Sequence, residues 1–218
     1  MRLHIQAVIF DMDGVITDTM PYHFRVWKDL FAREGIQVTR EDIYKREGQK
    51  GIESVREIFG EYGKVYNHAH AQNLLRDKEE IFKKVFKRRF IVGSRSFIHR
   101  LHAQGFKLAL VTGTSRREAV KLLPVDLYNL FDVSVCGCEV ANGKPHPEPY
   151  KTALKKLNLK SSQAVVIENA PFGVRSAKTA GLKCLGLETS LPKKYLKEAD
   201  AVFSSFKDLS CHIQLIKG

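Results

Sequence analysis

Val8-Ile9-Phe10-Asp11-Met12-Asp13-Gly14-Val15 is the stretch that decides the fold of this chain. Its apolar start predicts a short buried strand, and two aspartates follow that strand at once. Side chains alternate along a strand, so Asp11 and Asp13 would share a face if the strand continued. A turn at Gly14 would instead bring both carboxylates to the strand's carboxyl edge, where open α/β sheets bind ligands. One carboxylate there can attack phosphorus, the other can transfer a proton, and a hard cation can bind between them.

Short apolar runs that alternate with helical patterns predict an α/β fold with a doubly wound parallel sheet. The runs are nearly continuous rather than alternating, which is typical of strands covered on both faces. The predicted strands are Ala7–Phe10, Leu108–Thr112, Val133–Cys136, Val165–Ile167, Cys184–Leu187 and, more weakly, Ala201–Phe203. The predicted helices between them are Arg116–Leu123, Pro149–Leu157 and Phe172–Ala180.

The interval from Thr17 to Val92 contains no strand pattern. Its apolar residues recur at helical spacing, in one group around Trp27 and in another around Phe82, with glycines between the groups. We therefore expect an all-helical cap domain over residues 17–92, inserted into a core domain formed by residues 1–16 and 93–218.

Composition excludes several classes of protein. The chain has 218 residues, 44% of them hydrophobic, which suffices for one sizeable core with an insertion. No apolar run reaches the roughly 18–20 residues of a membrane span, and the N-terminus does not resemble a signal peptide. The four cysteines lack the spacing of a zinc site and are expected to be free thiols. We expect a cytoplasmic protein that works as a monomer and binds no membrane.

The net charge of +12 has three interpretations. Its densest run, residues 83–89, fits the solvated face of a helix. A positive field would also attract phosphorylated substrates. Nucleic-acid binding is the least favoured interpretation, because basic and aromatic residues are not interleaved and no zinc motif is present.

Three later segments also place polar residues after apolar runs. Thr112-Gly113-Thr114 offers a hydroxyl and backbone N–H groups to a phosphate. The loop 142–147, which two prolines rigidify, carries Lys144, a point charge suited to phosphate. Glu168-Asn169 supplies oxygen atoms, and together with Asp11 and Asp13 it could complete the oxygen shell of Mg²⁺.

In this order, the four segments resemble motifs I to IV of the haloacid dehalogenase-like superfamily, across essentially the whole chain. Residues 11–19 and 22–28 resemble β-phosphoglucomutase and its phosphatase relatives more closely. The resemblance implies a Rossmann-like core and a helical cap at the position of the insertion.

The resemblance also implies roles. Asp11 would be the nucleophile that forms an aspartyl-phosphate, and Asp13 the general acid and base. Thr112 would hydrogen-bond the transferring phosphoryl group, and Lys144 would neutralise its charge. Asp11, the backbone carbonyl of Asp13, Glu168 and Asn169 would hold Mg²⁺. Candidate substrate-binding residues are Thr19, His23, Lys50, Gly113 and Thr114.

Two departures from the family pattern matter. The fourth motif reads Glu168-Asn169 where these relatives usually have Glu-Asp, so we expect weaker metal binding. The mutases carry a cap-loop arginine that grips the distal phosphate, and the loop Gly48–Ser54 has none, which leaves Lys50 or Arg56 as substitutes.

The function expected from these residues is Mg²⁺-dependent hydrolysis of a small phosphorylated metabolite, in the first place a sugar phosphate. A β-phosphoglucomutase-type phosphohexomutase is the alternative, favoured by the stretch Tyr22–Lys28. His23 either couples cap closure to Asp13 or is a partly buried histidine with a structural hydrogen bond. A dehalogenase is not favoured, because its reaction does not require the second aspartate, Asp13. A non-enzymatic protein that binds through its basic surface is a remote alternative.

Overall fold

The computed structural model describes residues 1–218 and has the expected α/β fold. Six parallel strands form the main sheet, in the order β4-β3-β2-β5-β6-β7. They are β2 (Ala7–Phe10), β3 (Lys107–Val111), β4 (Val133–Val135), β5 (Ala164–Glu168), β6 (Lys183–Leu187) and β7 (Ala201–Phe203). Every strand predicted from an apolar run is therefore confirmed.

Both faces of this sheet are covered, which explains the unbroken apolarity of its central strand. Val8 and Phe10 belong to a core cluster of 42 buried residues that continues into the inserted helices. Ala7 and Ile9 point to the other face and belong to a cluster of 18 buried residues. A strand buried on both sides needs an apolar residue at every position.

A second sheet was not predicted. It pairs β1 (Arg2–Ile5) with β8 (Gln214–Lys217) in parallel. In β1 only Leu3 and Ile5 are buried, while Arg2 and His4 are exposed. Four residues of alternating pattern are too short to distinguish from a loop by sequence.

The insertion between β2 and β3 is helical, as predicted. It contains α1 (Met20–Arg33), α2 (Arg40–Tyr44), α3 (Gly51–Glu61), α4 (His68–Val85) and α5 (Ser94–Ala103). Of these, α5 packs on the sheet, with the Phe97 ring 6.2 Å from the Phe10 ring.

The chain enters and leaves the insertion through two adjacent segments. The Asp18 amide donates to the Arg89 carbonyl over 3.0 Å, and the Ile91 amide donates to the Ile16 carbonyl over 3.0 Å. An antiparallel bridge joins Thr17 to Phe90 between these bonds. The two connections thus form a short double-stranded hinge.

Five more helices complete the core. They are α6 (Arg116–Leu122), α7 (Val125–Tyr128), α8 (Glu148–Leu157), α9 (Pro171–Thr179) and α10 (Phe206–His212). The three predicted helices match α6, α8 and α9 to within one residue at each end, whereas the short α7 and α10 were not predicted. None of the helices has the length and apolarity that crossing a membrane requires.

Candidate active site

The strand-end segments converge because β3, β2 and β5 are adjacent in the sheet. In the strand register Phe10 lies opposite Leu110 on one side and Ile167 on the other. Asp11, Thr112 and Glu168 therefore sit near one another at the carboxyl edge, and all three are buried. The structure thus brings the first, second and fourth of these segments together at one edge of the sheet.

A tight turn positions Asp13. The amides of Ile16 and Thr17 both donate to the Met12 carbonyl, which folds the chain back after β2. Gly14 has a φ of 82°, and a Cβ atom there would lie 2.1 Å from the Asn169 side-chain nitrogen. Glycine at this position therefore lets the fourth segment approach the first.

Lys144 reaches into the base of the site from the loop before α8. Its ammonium donates to Asp11 Oδ1 over 2.6 Å, to Glu168 Oε1 over 2.7 Å and to the Val111 carbonyl over 3.2 Å. The Tyr150 hydroxyl donates to the same Glu168 oxygen over 2.9 Å. One ammonium is thus shared by two buried carboxylates.

This sharing sets the ionisation of the pair. Burial raises the pKa of Asp11 to about 8; Lys144 opposes the shift, while the charges of Glu168 and Asp13 add to it. Burial would lower the pKa of Lys144, but Asp11 and Glu168 outweigh it and hold that pKa above its usual value. The lysine is firmly protonated, whereas the carboxylates around it are only partly compensated.

Asp13 has its own hydrogen-bond donors. Thr19 donates to its Oδ1, and Thr114 donates to its Oδ2 over 3.1 Å. Thr112 lies 3.5 Å from Oδ2, and His23 Nε2 lies 3.4 Å from Oδ1. Burial favours the neutral acid, but the hydrogen bonds and charge of His23 and the Thr19 bond outweigh it, so the pKa of Asp13 lies below its usual value.

His23 is held in place by an aromatic stack. Its ring lies 4.4 Å from the Phe82 ring at an interplanar angle of 11°, and Phe82 stacks in turn on Phe86. This stack joins α1 to α4 and fixes the imidazole beside Asp13. Burial lowers the pKa of His23 and Lys78 reinforces this effect, whereas the hydrogen bond to Asp13 and its charge oppose it.

Two buried acceptors in the site have no hydrogen-bond donor. They are Asp11 Oδ2 and Asn169 Oδ1. Unsatisfied buried oxygens are rare, and a hard cation binds such atoms. Their presence, with the uncompensated negative charge, fits a Mg²⁺ site between the first and fourth segments.

Both carboxylate oxygens of Glu168 already accept hydrogen bonds from the protein. Its Oε2 accepts from the amides of Asn169 and Ala170 over 2.8 and 3.1 Å, while Oε1 faces Lys144 and Tyr150. The structure also contains no group of three His, Cys, Asp or Glu side chains in metal-binding geometry. The fit to a cation therefore rests on Asp11 and Asn169, with Glu168 holding the lysine.

An open cavity lies between the inserted helices and the sheet edge, with ≈ 870 Å³ of empty space when the adjoining open solvent is included. Asp13, Gly113 and Thr114 line its core side, and His23 of α1 lines it from the cap. Glu47 and Lys78 line its cap side and were not singled out in the sequence. Residues of the helical cap do not follow strands, so the pattern that pointed to the core residues does not apply to them. The spacing of apolar residues predicted the cap helices but not which of their polar residues face the cavity.

Lys50 is not brought together with the other candidates. Its ammonium donates to the carbonyls of Val140 and Ala141, each over 2.7 Å. Two glycines allow the insertion to contact the core closely near Lys50. A Cβ at Gly48 of the insertion would lie 2.4 Å from Lys144 Cδ in the core. A Cβ at Gly113 would lie 2.8 Å from the Gly48 carbonyl oxygen. The insertion therefore sits closed on the core.

Ser190 is a further polar residue of the site that the sequence analysis missed. Its hydroxyl accepts from the Asn169 amide nitrogen over 2.8 Å, while the amide oxygen has no donor. Ser190 is the third residue after β6, so a search of the polar residues Glu188–Ser190 that follow this strand would have found it.

The chain is similar to several known proteins. The sequence pattern of haloacid dehalogenase-like hydrolases matches residues 8–187. The chain is 36% identical to the phosphorylated carbohydrates phosphatase of Thermotoga maritima, over 91% of this chain and 93% of that protein. It is 30% identical to β-phosphoglucomutase of Bacillus subtilis, over 96% of this chain and 93% of that protein. The crystal structure of β-phosphoglucomutase from Clostridium difficile superposes with a TM-score of 0.82 at 26% identity, covering 94% of this chain and 93% of that one.

Proposed function

The chain belongs to the family of haloacid dehalogenase-like hydrolases, in its β-phosphoglucomutase and sugar-phosphate phosphatase subgroup, and from this premise we propose a Mg²⁺-dependent phosphatase. It removes phosphate from a small phosphorylated metabolite, in the first place a carbohydrate phosphate, through an aspartyl-phosphate. The observation that carries the proposal is the buried Asp11 carboxylate, held by Lys144 at 2.6 Å and left with one free oxygen.

Asp11 is the nucleophile in this mechanism. Its carboxylate attacks phosphorus, the bond to the leaving oxygen breaks, and the phosphoryl group passes to Asp11. Lys144 lies against the attacking group and offsets the charge on the phosphoryl oxygens. Thr112 and the backbone after it offer hydrogen bonds to those oxygens, since Thr112 and Gly113 lie at the same edge.

Asp13 moves the protons. In the first step Asp13 must carry a proton, which it gives to the leaving oxygen, so that it becomes a carboxylate. In the second step this carboxylate takes a proton from the water that cleaves the aspartyl-phosphate, which restores the acid form. Thr19, Thr114 and His23 hold its carboxylate in one orientation. Asp11, the carbonyl of Asp13 and Asn169 would hold Mg²⁺, which supplies further charge neutralisation at the phosphoryl group when bound.

Residues 17–92 act as the cap in this proposal. The close glycine contacts and the Lys50 bonds keep bulk water from the space above Asp11. The double-stranded hinge at Thr17 and Phe90 is where the cap would turn to admit substrate.

The first test is phosphate release from an aryl phosphate and a panel of sugar phosphates, with Mg²⁺ and with a chelator. Activity is expected only with Mg²⁺, and Asp11→Asn should lower kcat by about 10⁴-fold or more. Unchanged circular dichroism would show that this variant is folded. Activity that survived in Asp11→Asn would overturn the nucleophile assignment.

A phosphohexomutase is the second candidate, favoured by the contact between His23 and Asp13. A mutase must return the phosphoryl group to a sugar hydroxyl rather than to water. The panel therefore includes β-glucose 1-phosphate with a trace of glucose 1,6-bisphosphate. Conversion to glucose 6-phosphate with little free phosphate would identify the mutase.

A further inference from the structure

Tyr150 carries a buried hydroxyl in a place that phenylalanine would also fill. The residue lies on α8 and is 0% exposed, within the apolar cluster on the side of the sheet that Ala7 and Ile9 face. Burying a hydroxyl costs free energy unless a hydrogen bond compensates it. The structure gives this hydroxyl one partner, Glu168 Oε1 at 2.9 Å. The hydroxyl is therefore explained by Glu168 and not by the packing of the core.

The Tyr150 hydroxyl is a permanent donor to Glu168. Burial raises the pKa of Tyr150 well above its usual value, and the charge of Glu168 raises it further, so the phenol stays protonated. Glu168 accepts four hydrogen bonds in all, from Tyr150, Lys144 and the amides of Asn169 and Ala170. Each donor takes up part of the negative charge of the carboxylate and weakens its attraction for the other donors.

Two carboxylates compete for the single ammonium of Lys144. The ammonium lies 2.6 Å from Asp11 Oδ1 and 2.7 Å from Glu168 Oε1. Asp11 has no other side-chain donor, since its Oδ2 is unpaired. Without the Tyr150 hydroxyl, Glu168 Oε1 would depend on Lys144 alone and would hold the ammonium more tightly. The hydroxyl therefore shifts the ammonium's attraction towards Asp11.

The ring of Tyr150 contacts the same ammonium. Nζ of Lys144 lies 5.1 Å from the ring centroid, within the range of a cation–π contact. One side chain thus faces the ammonium with its ring and binds one of the two competing carboxylates with its hydroxyl. Phenylalanine would keep the first contact and lose the second, so Tyr150→Phe isolates the effect of the hydroxyl.

We infer that Tyr150 is a positioning residue for the phosphatase reaction, because its hydroxyl keeps the Lys144 ammonium shared between Glu168 and Asp11. Tyr150 does not line the cavity, so it touches neither the substrate nor the phosphoryl group and acts through Lys144. The inference rests on the proposed function, in which Lys144 offsets the charge of Asp11 and of the transferring group.

Tyr150→Phe should have opposite effects on turnover and on Mg²⁺ binding. When Glu168 holds the ammonium more tightly, less positive charge remains beside Asp11. Phosphoryl transfer then loses part of its charge neutralisation, and kcat for an aryl phosphate should fall about fivefold. A cation meets less repulsion at the same carboxylate, so the Mg²⁺ Kd, measured by calorimetry at pH 8 without substrate, should fall about threefold. A packing defect would instead weaken binding and turnover together.

Two further backgrounds complete the experiment, with circular dichroism to show that each protein is folded. In Glu168→Gln the competing charge is gone, so adding Tyr150→Phe should change kcat and Kd by less than about twofold. Tyr128→Phe is the matched control, because this partly buried tyrosine bonds Arg116 and Ser134 away from the site. It should leave both quantities within about twofold of the wild type.

Three results would overturn the inference: weaker Mg²⁺ binding in Tyr150→Phe, an unchanged kcat in that variant, or the same changes when the Glu168→Gln background is used. Absence of phosphate release from the wild type would instead overturn the proposed function. The Mg²⁺ titrations would still decide in that case whether Tyr150 controls the sharing of Lys144.

Discussion

The Lys144 ammonium and the Asp11 carboxylate lie 2.6 Å apart, although 133 residues separate them in the chain. Each is brought there by a different element, Asp11 by the end of β2 and Lys144 by the loop before α8. Folding therefore assembles the charge pair before any substrate arrives, and the site meets an incoming phosphate with its ammonium already in place.

Removing Lys144 should destabilise the protein as well as inactivate it. Lys144→Met leaves Asp11 and Glu168 buried without their shared cation, which should lower the free energy of unfolding by about 3 kcal/mol. Urea denaturation at pH 7 measures this loss. The double variant Lys144→Met/Glu168→Gln should recover part of it, and Lys151→Met, an exposed lysine on α8, should be neutral. Equal midpoints for Lys144→Met and Lys151→Met would contradict the prediction.

Restoring a carboxylate at position 169 should strengthen metal binding. Asn169→Asp adds a negative charge beside the free oxygen of Asp11, so the Mg²⁺ concentration for half-maximal activity should fall about tenfold. Ser190, which accepts from the amide, can turn its hydroxyl to donate to the new carboxylate. Asn169→Ala should raise the Mg²⁺ requirement instead. Identical Mg²⁺ titrations for the three proteins would remove Asn169 from the metal site.

Mg²⁺ binding should weaken as the pH falls below 8. Mainly through burial, the pKa of Asp11 is raised to about 8 in the metal-free protein, so at pH 6 this carboxyl is mostly protonated. Mg²⁺ binds the ionised form and must displace that proton, so its apparent Kd should rise towards tenfold per pH unit between pH 8 and pH 6. Calorimetric titrations at pH 6, 7 and 8 measure the slope. Asp11→Asn has no proton to displace there, so its weaker binding should vary much less with pH.

Lys50 should act on cap closure rather than on substrate choice. Its ammonium bonds to the Val140 and Ala141 carbonyls, just before the loop that carries Lys144. Lys50→Met should therefore lower kcat/KM by a similar factor, about threefold to tenfold, for sugar phosphates and for an aryl phosphate alike. Lys50→Arg keeps donors at this place and should recover most of the activity. A loss confined to one substrate would indicate a substrate contact instead.

The core of the fold could be predicted because its signals are local. A strand buried on both faces is apolar at every position, as Ala7–Phe10 is, and a polar residue directly after it marks the sheet edge. The same reasoning failed for β1, where alternate residues are exposed over only four positions.

The residues of the site also divide into those that local sequence signals predict and those that they do not. Asp11, Thr112 and Glu168 could be placed together because parallel strands end at one edge. Glu47 and Lys78 reach the cavity through the packing of α1 to α4 against one another, which depends on contacts distant in sequence. The sequence also did not reveal that Glu168 binds Lys144 whereas Asn169 keeps an oxygen without a donor. This difference depends on the hydrogen bonds that Lys144 and Ser190 form in the folded chain.

The adjacent connections at Thr17 and Phe90 would allow the proposed cap to be exchanged as one piece. Its two connections are hydrogen-bonded to each other, so the ends that remain after excision are already side by side. A short turn could join them without stretching the core, and a foreign cap with similarly spaced ends could be grafted at the same place. New substrate preferences are therefore accessible to this scaffold by recombination, without altering Asp11 or Lys144.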